Sequence, residues 1–497
     1  MVTKALLEGS INGVGKFHKT PIFPCGIFQC KEGVNRKPGD PNYDLFKLAL
    51  KSTALRLYPN YSSCEWSVDK LAFETDRKAK KEVIDSLSDE EREMLKERLS
   101  ENPSLKEFLM LEVDGDIRVS DDVKPFEIVS TMGCRTYNGF DINSVESYEK
   151  NIKSVIKDGT LYDDVMSGVA KDGRGNISPV TIILPTLAMQ AKLKVKKEIA
   201  AEKKGNDGFV ERPAEKVEER QKQVFMELLA KKIGEAKDML LERFEWQCSQ
   251  SPKAARFMYE NGTMSGYRPE EGVRSALKHG TIVIGQLGLA EALQILIGCD
   301  HTCDKGMAFA KEIEGFFKAK CAEYKKELKM NFGVYYTPAE NLCYTAMKKF
   351  KEKYGEIKDV SDREFFTNSM HVPVWKKMTP FEKIDIESQL TGYSSAGCIT
   401  YVELDSSTKN NTEALEELVN YAMDKDIPYF AVNTPNDACD DCGYTDDIPE
   451  KCPKCGSTRI KRLRRVTGYL TGSFTEAFNK GKQEETLARV KHGGVEA

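Results

Sequence analysis

Apolar positions along this chain follow two periods, and the places where one gives way to the other mark the elements. Short runs rich in β-branched and aromatic residues, such as ISPVTIIL (177–184), TIVIGQL (281–287) and PYFAVN (428–433), have the length of buried strands. Longer stretches repeat apolar residues every three to four positions, as helices do. PNYDLFKLALKSTALRLYP predicts a helix with Leu45, Leu48, Leu50, Leu55 and Leu57 supplying most of its apolar face. LKHGTIVIGQLGLAEALQILIG (277–298) predicts a strand, then an amphipathic helix after Gly288. A helix is expected over 304–330, and TEALEELVNYAMDKDIPYFAVNT predicts a helix followed by a strand.

The remaining segments fit between these. KTPIFPCGIF, punctuated by proline, is expected to be a buried strand. Residues 76–109 are densely charged and predict solvated helices with Ser or Asp caps and acidic first turns. Residues 187–260 predict helix with a polar break at KKGNDGFVERP. PFEIVSTMGCRTYNG (125–139) predicts a strand entering a turn with Cys134 at or near its tip, and GRGNISPVTIILPTL (173–187) a glycine-rich loop feeding a strand. Such loop-to-strand transitions are where α/β folds place functional groups. Helices alternating with buried strands imply a parallel or mixed sheet wrapped by helices, and there is no internal repeat.

Composition narrows the function. At 497 residues the chain is long enough for two to four domains, or for one large α/β barrel with additions. A net charge of −4 gives no reason to expect a surface that coats nucleic acid. No run of about 18 apolar residues predicts a membrane span, and the N-terminus lacks a secretory signal. A cytoplasmic protein is expected, with its 14 cysteines mostly reduced.

Four of those cysteines are grouped. CDDCGYTDDIPEKCPKC places Cys439, Cys442, Cys452 and Cys455 as two C-x2-C pairs, followed by Gly443 and Gly456. Each pair can offer two thiolates from one tight turn, so the set predicts a tetrahedral structural zinc site; a redox dithiol pair is the alternative. Four thiolates leave no open coordination position for catalysis. The ten scattered cysteines read as small core residues.

Just beyond lies RRVTGYLTG (464–472). Its glycines, Gly468 and Gly472, would ordinarily be turn residues. Together with KTPIFPCGIFQ, STMGCRTY, GRGNISPVTIILP, LKHGTIVIGQLGLAEAL, GYSSAGCITYVEL and FNKGKQEETLARVKH, this stretch resembles the anaerobic, class III ribonucleotide reductases, which are glycyl radical enzymes. The resemblance covers most of the chain, with an apparent insertion near 145–168. It implies an α/β fold, part of a ten-stranded barrel, over residues 1–430, with a finger loop around 130–137. A zinc ribbon over 431–460 and a glycyl radical domain over 461–497 would follow.

The resemblance implies that Gly468 stores the radical and that Gly472 keeps its turn role. Only glycine lacks a Cβ that would force the radical centre out of plane. The amide donor and carbonyl acceptor on either side delocalise the spin. Cys134 would become the thiyl that takes a hydrogen atom from C3′ of the ribose, because S–H and activated C–H bonds are of similar strength. Asn176 is similar to a residue that binds ribose hydroxyls in some family members. His279 and His371 receive no role.

The family reading also implies ribonucleoside triphosphates as substrates, formate as reductant and a homodimer. It implies activation by a radical S-adenosylmethionine enzyme that carries its own iron–sulfur cluster. Family members have a further N-terminal cone and barrel strands, one bearing a second active-site cysteine. Cys25 and Cys30 do not match it. The expectation is therefore a split gene with the N-terminal half supplied separately, against a truncated gene or a divergent enzyme. An inactive remnant, a zinc-ribbon interaction protein or another glycyl radical enzyme are the competing readings. The basic run KRLRR (461–465) reads as an activase-docking surface or a solvated edge rather than a nucleic-acid contact.

Overall fold

The computed structural model describes residues 1–65, 70–120, 131–132, 136–137, 141–162, 175–205, 209–261, 263–264, 266–434, 436–448, 450–466, 469–471 and 474–492. Two sheets carry the fold. In the first, Asn176–Ile183, Thr281–Leu287 and Phe332–Tyr335 run parallel in that order. In the second, Ile27–Cys30 is parallel to Asn60–Ser63, which lies antiparallel to Tyr429–Asn433, itself parallel to Thr400–Glu403.

A short segment joins the sheets. Ala396 donates its N–H to the Val334 carbonyl at 3.0 Å, and Tyr336 donates to the Gly397 carbonyl at 3.1 Å. The segment that makes this contact with Phe332–Tyr335 runs on directly into Thr400–Glu403. The result is a set of mostly parallel strands packed against helices, the mixed α/β fold that the alternating pattern predicts.

Thr281–Leu287 is buried along its whole length, as expected of a strand with parallel neighbours on both sides. Its Ile282, Ile284 and Leu287 pack with Leu184–Gly205, Ala214–Cys248, Leu289–Ile297 and Asp304–Leu328 in the largest core. A second core lies between the other sheet and the helices Tyr43–Arg56 and Thr412–Asp424. There Phe28, Phe46 and Tyr61 meet with ring centroids 5.9–6.4 Å apart, and burying Phe46 stabilises by roughly 2–3 kcal/mol. A third, separate core joins Asp89–Glu101, Ser144–Asp158 and the hairpin Leu111–Val119. Ser88 and Glu91 close a capping box at the start of the first of these helices.

Three expectations need correction. KTPIFPCGIF is not one strand: pairing starts only at Ile27, and Phe23 is 70% exposed. Pro21 and Pro24 have no N–H to donate to a ladder. The buried face of Tyr43–Arg56 is Phe46, Ala49, Leu50, Thr53 and Ala54. Leu45 and Leu48 pack at its margin, and Leu57 has already left the helix with φ +67°. The basic run is not wholly a solvated edge, since Arg465 is 2% exposed. Among the described residues no helix is long and apolar enough to cross a membrane.

Candidate active site and metal centre

The four grouped cysteines come together. Their Sγ atoms all lie within 4.8 Å of one another, with Cys439–Cys455 and Cys442–Cys452 at 3.5 Å. Zinc–sulfur bonds of about 2.3 Å in a tetrahedron require sulfur–sulfur edges of about 3.8 Å, so the donor set fits the ion. Each knuckle closes the same way: Gly443 donates to the Cys439 carbonyl at 3.0 Å and Gly456 to that of Cys452 at 2.8 Å. Both glycines have positive φ, +74° and +73°, where a side chain would be strained. The strand Asp437–Cys439 is flanked by Thr445–Asp446 and Ile460–Lys461.

This ribbon is tied to both ends of the chain. Lys19 pairs with Asp440 at 2.7 Å, and Thr20 donates to Asn436 at 2.7 Å. Near the other terminus Lys491 reaches Asp447 at 2.5 Å. The hairpin that follows has Arg464–Val466 antiparallel to Tyr469–Thr471, with Val466 opposite Tyr469. Arg465 anchors it: its guanidinium donates to Asn60 Oδ1 at 2.6 Å and to the Leu57 carbonyl, and lies 4.5 Å over the Tyr58 ring. Leu463 and Leu470 pack with Leu57 and Tyr58. Gly468, two positions after Val466 in the sequence, falls outside the described residues. So does Cys134, although Thr131–Met132 and Thr136–Tyr137 on either side of it pair antiparallel. Gly472 is also outside.

Asn176 opens the strand Asn176–Ile183, opposite Thr281. Its amide Nδ2 donates to the Ala396 carbonyl at 3.1 Å, so it fastens the outer strand to the segment joining the sheets.

A small cavity lies where the C-terminal arm meets the second sheet, lined by His371, Lys383, Tyr401, Glu403, Arg489 and His492 among others. Arg489 bridges Glu403 at 3.2 Å and Glu485 at 3.3 Å, and Lys482 pairs with Glu485 at 2.5 Å. Glu403 and His492 exchange main-chain and ring contacts: Glu403 N–H donates to His492 Nδ1 at 3.0 Å, and His492 N–H to the Glu403 carbonyl at 2.6 Å. Burial pushes the His492 ring down to about 4, consistent with an accepting Nδ1.

Beside it Glu387, fully buried, accepts from Lys383 Nζ at 2.6 Å and Val372 N–H at 3.1 Å, with His371 Nδ1 at 3.3 Å. Burial opposes its charge, but Lys383 and His371 outweigh it and hold the carboxyl well below the usual range. Glu387→Gln is expected to destabilise the protein by about 3 kcal/mol at pH 7, because it strands Lys383 without its counter-ion. Because the folded carboxyl titrates below the ordinary 4.5, the wild-type advantage is full above that pH and lost as pH falls further. Urea midpoints of the two proteins should therefore converge in acid; parallel curves would remove the role given to this charge.

His279 is also buried against a carboxylate, its Nδ1 2.6 Å from Asp141. The two histidines left without roles are thus both held by acids. None of the Arg465, Glu387 or Arg489 anchors was expected from the sequence. The available signals were Lys383 and Glu387 one helical turn apart and an arginine placed directly before the glycine motif.

Comparison with known proteins decides the family. The family model described as anaerobic ribonucleoside-triphosphate reductase matches residues 1–492. This chain belongs to the anaerobic ribonucleoside-triphosphate reductase family. It is 28% identical over 509 residues to the anaerobic ribonucleoside-triphosphate reductase of Haemophilus influenzae, covering 99% of this chain and 56% of that protein. It is 30% identical over 503 residues to the one of Enterobacteria phage T4, covering 99% and 66%. The fold is similar to a solved anaerobic ribonucleotide reductase, with a TM-score of 0.50 at 16% identity, over 95% of this chain and 56% of that one. The chain thus spans a little over half the length of the first of these reductases, and it shares the mixed α/β fold of the solved one.

Proposed function

We propose that this chain carries the radical-storing and substrate-reacting part of an anaerobic ribonucleoside-triphosphate reductase. The observation that carries the reading is the family match along residues 1–492. In it, residues 1–430 are the partial barrel, 431–460 the zinc ribbon and 461–497 the glycyl radical domain. Gly468 stores the radical. Cys134 receives it as a thiyl and removes the C3′ hydrogen of a ribonucleoside triphosphate. Asn176 orients the ribose diol with an amide that both donates and accepts. Formate supplies the reducing equivalents. A radical S-adenosylmethionine enzyme with an iron–sulfur cluster generates the radical in the cytoplasm.

The antiparallel strands before and after Gly468 support its part of the reading: Arg465 anchors them to Asn60, and Arg464 pairs with Asp437 on the ribbon's first strand. The zinc serves as a structural clamp, held by Cys439, Cys442, Cys452 and Cys455. This chain covers 56–57% of two curated relatives' length, so the proposal includes an N-terminal part supplied separately and a homodimer of the assembled enzyme.

The test is anaerobic activation followed by electron paramagnetic resonance and formate-dependent turnover of a ribonucleoside triphosphate. It is run with this chain alone and with the co-expressed N-terminal half of a relative. A glycyl doublet with deoxynucleotide formed only in the second sample is expected. Absence of a doublet from both samples, with the fold intact, would sink the reading; turnover by the chain alone would remove the need for a second half. Metal analysis should give about one zinc per chain. Cys452→Ser is expected to lose the ion and lower the radical yield at least several-fold, whereas unchanged yield without zinc would contradict the clamp.

A further inference from the structure

Away from the zinc ribbon, a second pair of thiols faces each other. Cys299 and Cys303 lie in the turn between Leu289–Ile297 and Asp304–Leu328, with their sulfurs 2.8 Å apart. Both are partly exposed, whereas Cys30, Cys64, Cys321, Cys343 and Cys398 are buried. The turn that presents them is fixed. Asp300 Oδ1 accepts from Thr302 N–H at 2.9 Å and from its hydroxyl at 2.6 Å. The other carboxylate oxygen of Asp300 meets Lys376 Nζ at 2.5 Å, and Lys376 donates to Thr302 at 2.7 Å. Gly306 lies so close beneath that a Cβ there would stand 1.9 Å from the Asp300 carbonyl. The Gly306 N–H donates to Cys303 Sγ at 3.3 Å. Cys303 caps a helix of 25 residues.

A disulfide needs its sulfurs about 2.05 Å apart. From 2.8 Å that is a movement of about 0.8 Å, within the reach of two χ adjustments. The two thiols are not equivalent. Burial and the Cys303 contact push the Cys299 thiol up to about 11, while an N–H at the head of a helix is aimed at Cys303. Cys303 is therefore the attacking sulfur and Cys299 the resolving one.

We propose that Cys299 and Cys303 form a reversible redox-active dithiol that closes to an intramolecular disulfide with a low-molecular-weight disulfide as electron acceptor. Cys303 thiolate attacks one sulfur of the acceptor, forming a mixed disulfide and releasing one thiolate. Cys299 gives its proton to solvent and attacks the Cys303 sulfur, releasing the second thiol. The protein loses two electrons and two protons, and the acceptor disulfide is reduced to two thiols. Excess thiol reverses both steps. The inference is independent of the radical chemistry proposed above. It adds an oxidation-sensitive site on the turn that Lys376 ties to the loop carrying His371.

Oxidised and reduced glutathione, mixed at graded ratios with the zinc-loaded full chain without oxygen, provide the test. Samples are quenched in acid, unfolded, alkylated with N-ethylmaleimide and digested with trypsin. Peptide 279–305 contains these two cysteines and no others. It should lose both labels together as the ratio rises and regain both on return to excess thiol. The peptide carrying buried Cys321 should stay labelled throughout. Cys299→Ser should stop at a glutathione adduct on Cys303, and Cys303→Ser should leave Cys299 labelled. Retention of both labels at every ratio would overturn the proposal. So would separate glutathione adducts on the two cysteines without closure. Ribbon cysteines are read on other peptides, so their oxidation cannot imitate the result.

Discussion

Gly468→Ala is expected to abolish the stored radical: after anaerobic activation together with the N-terminal half, the doublet seen with the wild-type chain should be absent from the variant, with zinc content and thermal stability close to wild type. The doublet itself comes from the one hydrogen left on a glycine Cα after the other has been removed. A methyl group at that carbon crowds its neighbours when the centre flattens and so weakens the delocalisation that keeps the radical alive. The surroundings make the variant interpretable. Arg465 is held by Asn60, Leu57 and Tyr58, and Leu470 packs beside Leu463. Because Val466 and Tyr469 pair directly, only positions 467 and 468 separate the strands, and the anchors lie outside the changed residue. A doublet of undiminished intensity in Gly468→Ala would refute the assignment.

Cys134→Ala should separate storage from chemistry. The doublet is expected to form at wild-type intensity, while reduction of ribonucleoside triphosphate in the reconstituted enzyme falls by at least about a thousandfold, the order lost when a reacting nucleophile is removed. Alanine has no S–H bond of matched strength to hand the hydrogen atom across. Serine is a useful second variant. Its O–H bond is much stronger than S–H, so it should be equally inactive while keeping a polar group of similar size. Measurable deoxynucleotide from either protein would end the role of Cys134.

Much of the fold could be read because each element states its own period. Thr281–Leu287 and Leu289–Ile297 fall where the run of β-branched residues ends at Gly288, and the break in KKGNDGFVERP separates Leu184–Gly205 from Ala214–Cys248. The zinc ligands were legible for the same local reason, since C-x2-C followed by glycine is complete within one turn. What local pattern could not supply was pairing across long separations. The second sheet joins residues near 60 to residues near 430 in an antiparallel sense, and no period in the chain encodes that neighbour. Arg465 looks like any surface arginine in sequence, yet its partners lie about 400 positions earlier. Phe23 shows the opposite failure: an apolar run with two prolines suggested burial, but the missing N–H groups kept it out of the ladder.

That long-range pairing has a consequence for biosynthesis. The edge of Asn60–Ser63 that will meet Tyr429–Asn433 emerges from the ribosome about 370 residues before its partner. At roughly 5–20 residues per second, this edge waits on the order of 20–70 s with its amides unpaired. The hairpin that grips Asn60 arrives later still. Throughout that interval the nascent chain presents a sticky β-edge to other nascent chains. Chaperone supply and translation speed, more than final stability, would then govern how much of the polypeptide reaches its native state.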